Sequence, residues 1–193
     1  ASPFRDLVSD TAKDAWYVDC GLKYEGSPVT TISGLGHLEG KEVAVLADGG
    51  PINGLVVRNG SITLPRPYST VVVGLPYQGL IKSLRVNGGD NLGPSQGRRQ
   101  KIGDLILRFD RTVGGDVGWE RFGTDGDVLE EVWSPIKYRT IQQATFASAP
   151  FSGDRNARLP SGWDNRGQFM LRQRDPLPMT LLCAILNVSL GER

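Results

Sequence analysis

Residue types able to do chemistry are sparse in these 193 residues. The only histidine, His37, lies in Gly34-Leu35-Gly36-His37-Leu38, a pattern for a turn between strands. A hydrolytic triad or a histidine-based zinc site needs partners converging on that ring. None is visible nearby, so a turn or packing role is the plainer reading. Carboxylates recur at Asp110, Asp116, Glu120, Asp125, Asp127, Glu130 and Glu131. Two of them held across a sugar would make a glycosidase. Spread over a glycine-rich segment, they read instead as solvated loop charges. Asp125-Gly126-Asp127 does not complete a calcium-binding loop. Gly34, Gly36 and Gly40 precede a strand pattern rather than a helix, which excludes a dinucleotide fingerprint, and no GxxxxGK[ST] occurs. The expectation is a non-enzyme with no catalytic residue, no cofactor and no metal.

Two groups remain as candidates for contact rather than catalysis. Arg98, Arg99 and Lys101 form the one compact basic cluster, with Arg108 and Arg111 beyond it. It reads as a solvated strand start, or as a contact for an acidic neighbour or for DNA, whose attraction is sequence-independent and salt-sensitive. Trp119, Trp133 and Trp163, with Tyr138, fall in loop-rich stretches. Large aromatics near strand ends complete a core; exposed, they anchor an interface or stack on sugars.

The elements that must position these groups are short strands. Glu42 to Ala47 (EVAVLA) is an apolar run suited to a strand covered on both faces or central in a small barrel. The Asp48-Gly49-Gly50 turn signal follows it. Gly54 to Val57, Asn59-Gly60 and Ser61 to Leu64 read as a hairpin, because Asn-Gly tolerates the positive φ of a type I′ turn. Pro65 and Pro67 are expected to stop pairing, and Ser69 to Val73 opens another strand. Tyr24 to Ser27 reads as a turn. Gly79 to Val86 reads as a strand with Leu80, Leu84 and Val86 on its apolar side. Lys101 to Arg108 and Val128 to Trp133 are further strands. Residues 110–127 read as a long hairpin or loop, and 144–167 as largely irregular. Phe169–Arg172 and Met179–Ser189 are expected to pair with each other. The fold class is all-β, mainly antiparallel, with little helix. It divides into a lead-in arm (1–15), a small barrel-like module (16–86) and a second β region with long glycine-rich loops (87–193).

Composition is ordinary for a globular protein, with 39% hydrophobic and 22% charged residues. A net charge of +1 gives no global pull toward nucleic acid or an anionic membrane. Two cysteines, Cys20 and Cys183, are too few for a disulfide scaffold; they read as buried reduced thiols, with one bridge between them as the alternative. The longest apolar cluster, Met179 to Leu186, is far short of a membrane-spanning helix. The chain begins ASPFRDL without a methionine and reads as a fragment of a longer protein or a processed chain.

Several segments carry a resemblance. Val18-Asp19-Cys20-Gly21-Leu22, Pro28-Val29-Thr30-Thr31-Ile32-Ser33-Gly34-Leu35, His37-Leu38-Glu39-Gly40-Lys41 and Val45-Leu46-Ala47-Asp48-Gly49 resemble a recurring block of tailed-bacteriophage structural proteins. Val73-Gly74-Leu75-Pro76-Tyr77, Gln96-Gly97-Arg98-Arg99, Gly162-Trp163-Asp164 and Asp175-Pro176-Leu177-Pro178-Met179-Thr180 continue it. The likeness spans most of residues 16–186. Such proteins are described as carrying a domain similar to the first catalytic cysteine half-domain of ubiquitin-activating enzymes, without its chemistry. The resemblance implies a subunit of a tail nozzle, tube or hub, located in the virion tail and assembled in the bacterial host cytoplasm. Its partners would be copies of itself in a ring, other tail proteins, and DNA passing through the tail. The alternative is a glycan- or host-receptor-binding module displayed on such a tail.

Overall fold

The computed structural model describes residues 12–90, 93–95, 97–122, 127–138, 150–159, 162–163 and 167–191. The expected arm therefore falls outside the described residues except at 12–15. There Ala12–Asp14 makes a 3-10 turn, and Ala12 and Ala15 are buried. The protein is all-β. Its strands are β1 (Asp19–Ser33), β2 (Glu42–Ala47), β3 (Gly50–Val56), β4 (Ser61–Leu75), β5 (Gly79–Lys82), β6 (Gly89–Asp90), β7 (Gly93–Pro94), β8 (Gln100–Thr112), β9 (Asp116–Phe122), β10 (Val128–Pro135), β11 (Phe151–Arg158), β12 (Met170–Gln173) and β13 (Thr180–Leu190).

The first sheet has the order β1-β4-β2-β3, and every pairing is antiparallel. β2 is buried along five consecutive residues because its two faces serve two cores. Val43, Val45 and Ala47 enter the sheet's own core with Ile32, Leu35, Val57, Ile62 and Val71. Ala44 and Leu46 point the other way, into a seam with Ala12, Val18, Val72, Val113 and Leu177. The unbroken apolar run thus follows from two-sided burial.

Turn chemistry sets the connections. Asp48 (φ 48°) and Gly49 (φ 83°) close a two-residue β2–β3 hairpin between Ala47 and Gly50. The Asp48 carboxylate accepts from the Thr70 N–H at 3.0 Å and so ties this turn to β4. Asn59 (φ 52°) and Gly60 (φ 65°) form the expected second turn, and both their N–H groups donate to the Glu39 carboxylate, at 2.9 and 2.7 Å. The hairpin around it stops at one Arg58–Ser61 bridge, however. β3 is already held by β2, so β4 takes β1 and β2 as partners instead.

Pro65 and Pro67 lie within β4 rather than ending it. Pairing with β1 jumps from Thr31↔Thr63 to Val29↔Tyr68, so the prolines occupy a bulge where no ladder N–H is needed. Tyr24 to Ser27, expected as a turn, lies inside β1 and is absorbed by the register shift between Glu25 and Val29.

The second body stacks sheet β10-β9-β12-β5 on sheet β11-β8-β13. Ile102, Leu105, Leu107 and Phe109 of β8 meet Val117 and Trp119 of β9, Ala157 of β11 and Leu171 of β12 in one core. Ile102 and Leu105 are three residues apart yet both buried. The register shift opposite Asn187 and Val188 inserts a residue that restores the inward face. Within 110–127, read as a long hairpin or loop, residues 116–122 form β9, which pairs antiparallel with the following β10 as one arm of a hairpin. Two expectations are corrected in this body. Residues 151–158 of the presumed irregular stretch form β11. β12 and β13 belong to different sheets, because Asp175–Pro178 carries the chain between sheets and buries Leu177 in the seam. β5 also hydrogen-bonds to β12, which puts it with the second body.

Two predictions follow from this packing. A Cβ at Gly74 would lie 2.6 Å from the Asp19 carbonyl oxygen and 2.7 Å from Val18 Cγ2, whereas one at Gly36 would meet nothing within 4 Å. Gly74→Ala should cost about 1–3 kcal/mol in urea unfolding; Gly36→Ala should leave the midpoint nearly unchanged, and equal shifts would contradict this packing. The Tyr138 hydroxyl donates to the Gly114 carbonyl at 3.0 Å, with its ring against Phe109 and Phe151. Burial pushes its pKa well above the ordinary 10, with Arg155 opposing. The folded phenol therefore keeps its proton where the unfolded one releases it. The stabilisation is complete below about pH 10 and declines as pH rises above that value. Tyr138→Phe should show a shallower alkaline fall in stability than the parent protein.

Candidate interaction surface

Pleating splits the basic cluster. Arg98 and Gln100 point inward and Arg99 and Lys101 outward, as alternation along an extended chain requires. Arg98 is only 4% exposed, and its Nε donates to the Gly191 carbonyl at 2.9 Å. It is a tie between the start of β8 and the end of β13, not a surface cation. Gln100 is buried with it and donates to the Val86 and Ser95 carbonyls at 3.2 and 3.3 Å. Arg99 and Lys101 remain on the surface. Arg108, farther along β8, makes a two-point contact with Asp154 at 2.7 and 2.9 Å.

The three candidate tryptophans have three different fates. Trp119 is 9% exposed within the second core, which removes it from the candidate exposed aromatics. Trp133 is half-buried on the outer face of β10. It covers Gly118, where an added Cβ would come within 2.5 Å of its ring. The Arg172 guanidinium stacks on it at 4.1 Å, and its Nε1–H donates to Glu131 at 3.2 Å. Trp163 is 47% exposed. A Cβ at Gly191 would lie 3.4 Å from Arg99 Cβ and 3.6 Å from Trp163 Cζ3. The fold thus brings an exposed arginine and an exposed indole, 64 positions apart in the chain (163 minus 99), to the same glycine.

Five of the seven candidate carboxylates have structural partners, counting Glu131 beside Trp133, while Asp127 is exposed. Asp116 is buried beside Arg172 at 2.9 Å and Arg174 at 3.5 Å. Glu120 meets Lys82, Glu130 meets Arg121 at 3.1 Å, and Asp110 accepts from the Ser152 hydroxyl at 2.9 Å. Asp125 lies outside the described residues. Among the described residues no three of His, Cys, Asp and Glu converge as a metal site would need. His37 donates from Nε2 to the Cys20 carbonyl at 3.0 Å, which pins its turn to the start of β1.

Both thiols are free and exposed, correcting the expectation of burial. Cys20 has φ 50° within an irregular start of β1, and Cys183 follows the register shift after Leu181, so each is turned outward. Leu80 and Leu84 are also corrected. Instead of lining an apolar side they are exposed, Leu80 on edge strand β5 and Leu84, at 88%, beyond the end of that strand at Lys82. Val128 and Leu129 are exposed on the opposite edge, β10. Alternation in sequence marks a strand but not its place in a sheet, so these exposed edges had no local signal. No protein-family model and no curated protein matches this chain.

Among the described ion pairs, Asp116–Arg172 is the most buried. Arg172→Ala should leave Asp116 buried with only the longer Arg174 contact and should cost about 3 kcal/mol in urea unfolding. The double variant Asp116→Leu/Arg172→Met should recover most of that loss. A single variant with parental stability would show the pair to be dispensable.

Proposed function

We propose that this chain is a structural subunit of a bacteriophage or prophage tail, working in a nozzle, tube or hub ring rather than as an enzyme. The observation that carries the reading is where the molecule exposes its large apolar side chains. Leu80, Ile81, Leu84, Val128 and Leu129, half of the ten exposed large hydrophobic side chains among the described residues, gather at the two edges of one sheet or just beyond, while Asp116, Glu120 and Glu130 are drawn into structural contacts. Unpaired apolar edges favour association. The block resemblance across residues 16–186 supplies the tail assignment. Its partners are copies of itself and neighbouring tail proteins. Arg99 and Lys101 are the surface cations that would face DNA in a conduit.

A second reading rests on Trp163 beside Arg99: a glycan-binding module for host attachment, using the exposed indole as a stacking platform.

Light scattering over a concentration series separates the two readings. The tail reading expects a mass that grows to a closed ring; a monomer throughout would sink it. Arg99→Ala/Lys101→Ala should then flatten the salt dependence of any DNA binding by the assembled form. The glycan reading expects saturable binding to host-surface glycan that Trp163→Ala abolishes.

A further inference from the structure

Among the described residues, the order β10-β9-β12-β5 leaves β10 and β5 as the outer strands of one sheet. Three successive antiparallel pairings join them, so β10 and β5 run in opposite directions. β10 of one copy can therefore lie against β5 of another and continue the sheet in the same antiparallel sense. The three-stranded sheet lacks this property, because its outer strands β11 and β13 run the same way.

We propose that copies of this chain join head to tail through these edges, β10 of one against β5 of the next. This deepens the reading above and rests on its premise that copies associate.

Charge and shape favour this partner over others. The β10 edge and its approach carry Asp127, Glu130 and Glu131, with Val128 and Leu129, the latter 71% exposed. The β5 edge and its exit carry Lys82 and Arg85, with Leu80, Ile81 and Leu84. Lys82 and Glu130 already hold Glu120 and Arg121 within the chain. An ammonium has three donors, and a carboxylate accepts at two oxygens, so each can take a second partner. Acidic against basic also opposes β10–β10 and β5–β5 pairing, which would set like charges across from each other.

The faces of the sheet limit the register. Val132 shares the inner face with Trp119, and Ile81 shares it with Leu171. Cross-strand partners must lie on one face. With Val132 opposite Ile81, Glu131 falls opposite Lys82 and Trp133 opposite Leu80, all on the outer face. Val128 and Leu129 then come abreast of Leu84. The backbone phase agrees as well. Alternation through β9 and β12 gives Val132 and Ile81 the same orientation, both toward their own sheet or both toward the free edge. Such a contact is heterologous, so it builds a ring when the rotation closes and a filament when it does not. β5 has four residues, so each contact is small and assembly depends on concentration.

The test uses Ile81→Cys and Val132→Cys in separate preparations, each with Cys20→Ser and Cys183→Ser because both native thiols are exposed. Directly opposed residues of an antiparallel pair lie within disulfide reach. Oxidation should link the chains only when the two preparations are mixed, and the double variant should give a ladder of oligomers. Ile81→Cys linking to itself as strongly as the mixture would overturn the proposal. So would the absence of cross-links at concentrations where light scattering detects oligomers, a result that leaves the association reading standing. A monomer with no cross-link would overturn both. Leu84 is almost wholly exposed, so its substitution leaves the fold intact. Leu84→Glu should lower the cross-link yield severalfold while Leu84→Lys preserves it; equal yields would count against the register.

Discussion

Two-sided burial of β2 is the constraint on which the rest of the molecule depends. Its odd-numbered residues complete the core of the first sheet, and Ala44 and Leu46 supply the seam to the second body. The seam is built of small side chains from the first sheet and its lead-in, Ala12, Ala15, Val18 and Val72, against Val113 and Leu177 from the second body. Small residues let the backbones approach closely, and close packing makes each lost methylene felt. Asn53 adds a polar tie across the same junction by donating to Asp175 at 3.0 Å. The first sheet therefore has one face closed by its own curl and the other closed by the rest of the chain.

The second body handles charge in a related way. Arg172 lies over Trp133 and against Asp116, so one guanidinium serves packing and electrostatics together. Arg155 does the same on the other sheet, with its guanidinium 4.1 Å from the Phe151 ring and Nη2 donating to the Tyr138 carbonyl. Burying a charge without a partner is expensive, so Arg172 and Arg155 reach inward where an aromatic face and an acceptor coincide, and Arg98 does so against the Gly191 carbonyl. The surface keeps cations with no such niche, among them Arg85, Arg99 and Lys101. What the packing leaves on the described surface is strand edges, one exposed indole and a few outward charges.

Much of the architecture was legible. EVAVLA, Asp48-Gly49 and Asn59-Gly60 are local signals whose physics is local: an uninterrupted apolar run, and residues that tolerate positive φ. β11 was illegible because FSGDRNAR is polar; as an edge strand it buries little and needs no apolar pattern. The proline bulge in β4 misled in the opposite direction, since a missing N–H ends a ladder only where the ladder would need it. Of the candidate surface, Trp163 and Arg99 were each visible as residue types. Their meeting over Gly191 was not, because it depends on how β8 and β13 align.

The amino-acid sequence by itself determined the strand-rich class, the turns at Asp48-Gly49 and Asn59-Gly60 and the scarcity of residues with catalytic potential. These follow from side-chain type and short-range backbone preference. Tertiary structure alone decided which strand lies beside which, and therefore which residues are edges. Leu80 in β5 and Leu107 in β8 are the same residue type in similar alternating contexts, yet one is exposed and the other sealed in the core. The difference is which face the side chain takes and how many neighbours its strand finds. That number is set by long-range pairing across the whole chain, and no local pattern encodes it.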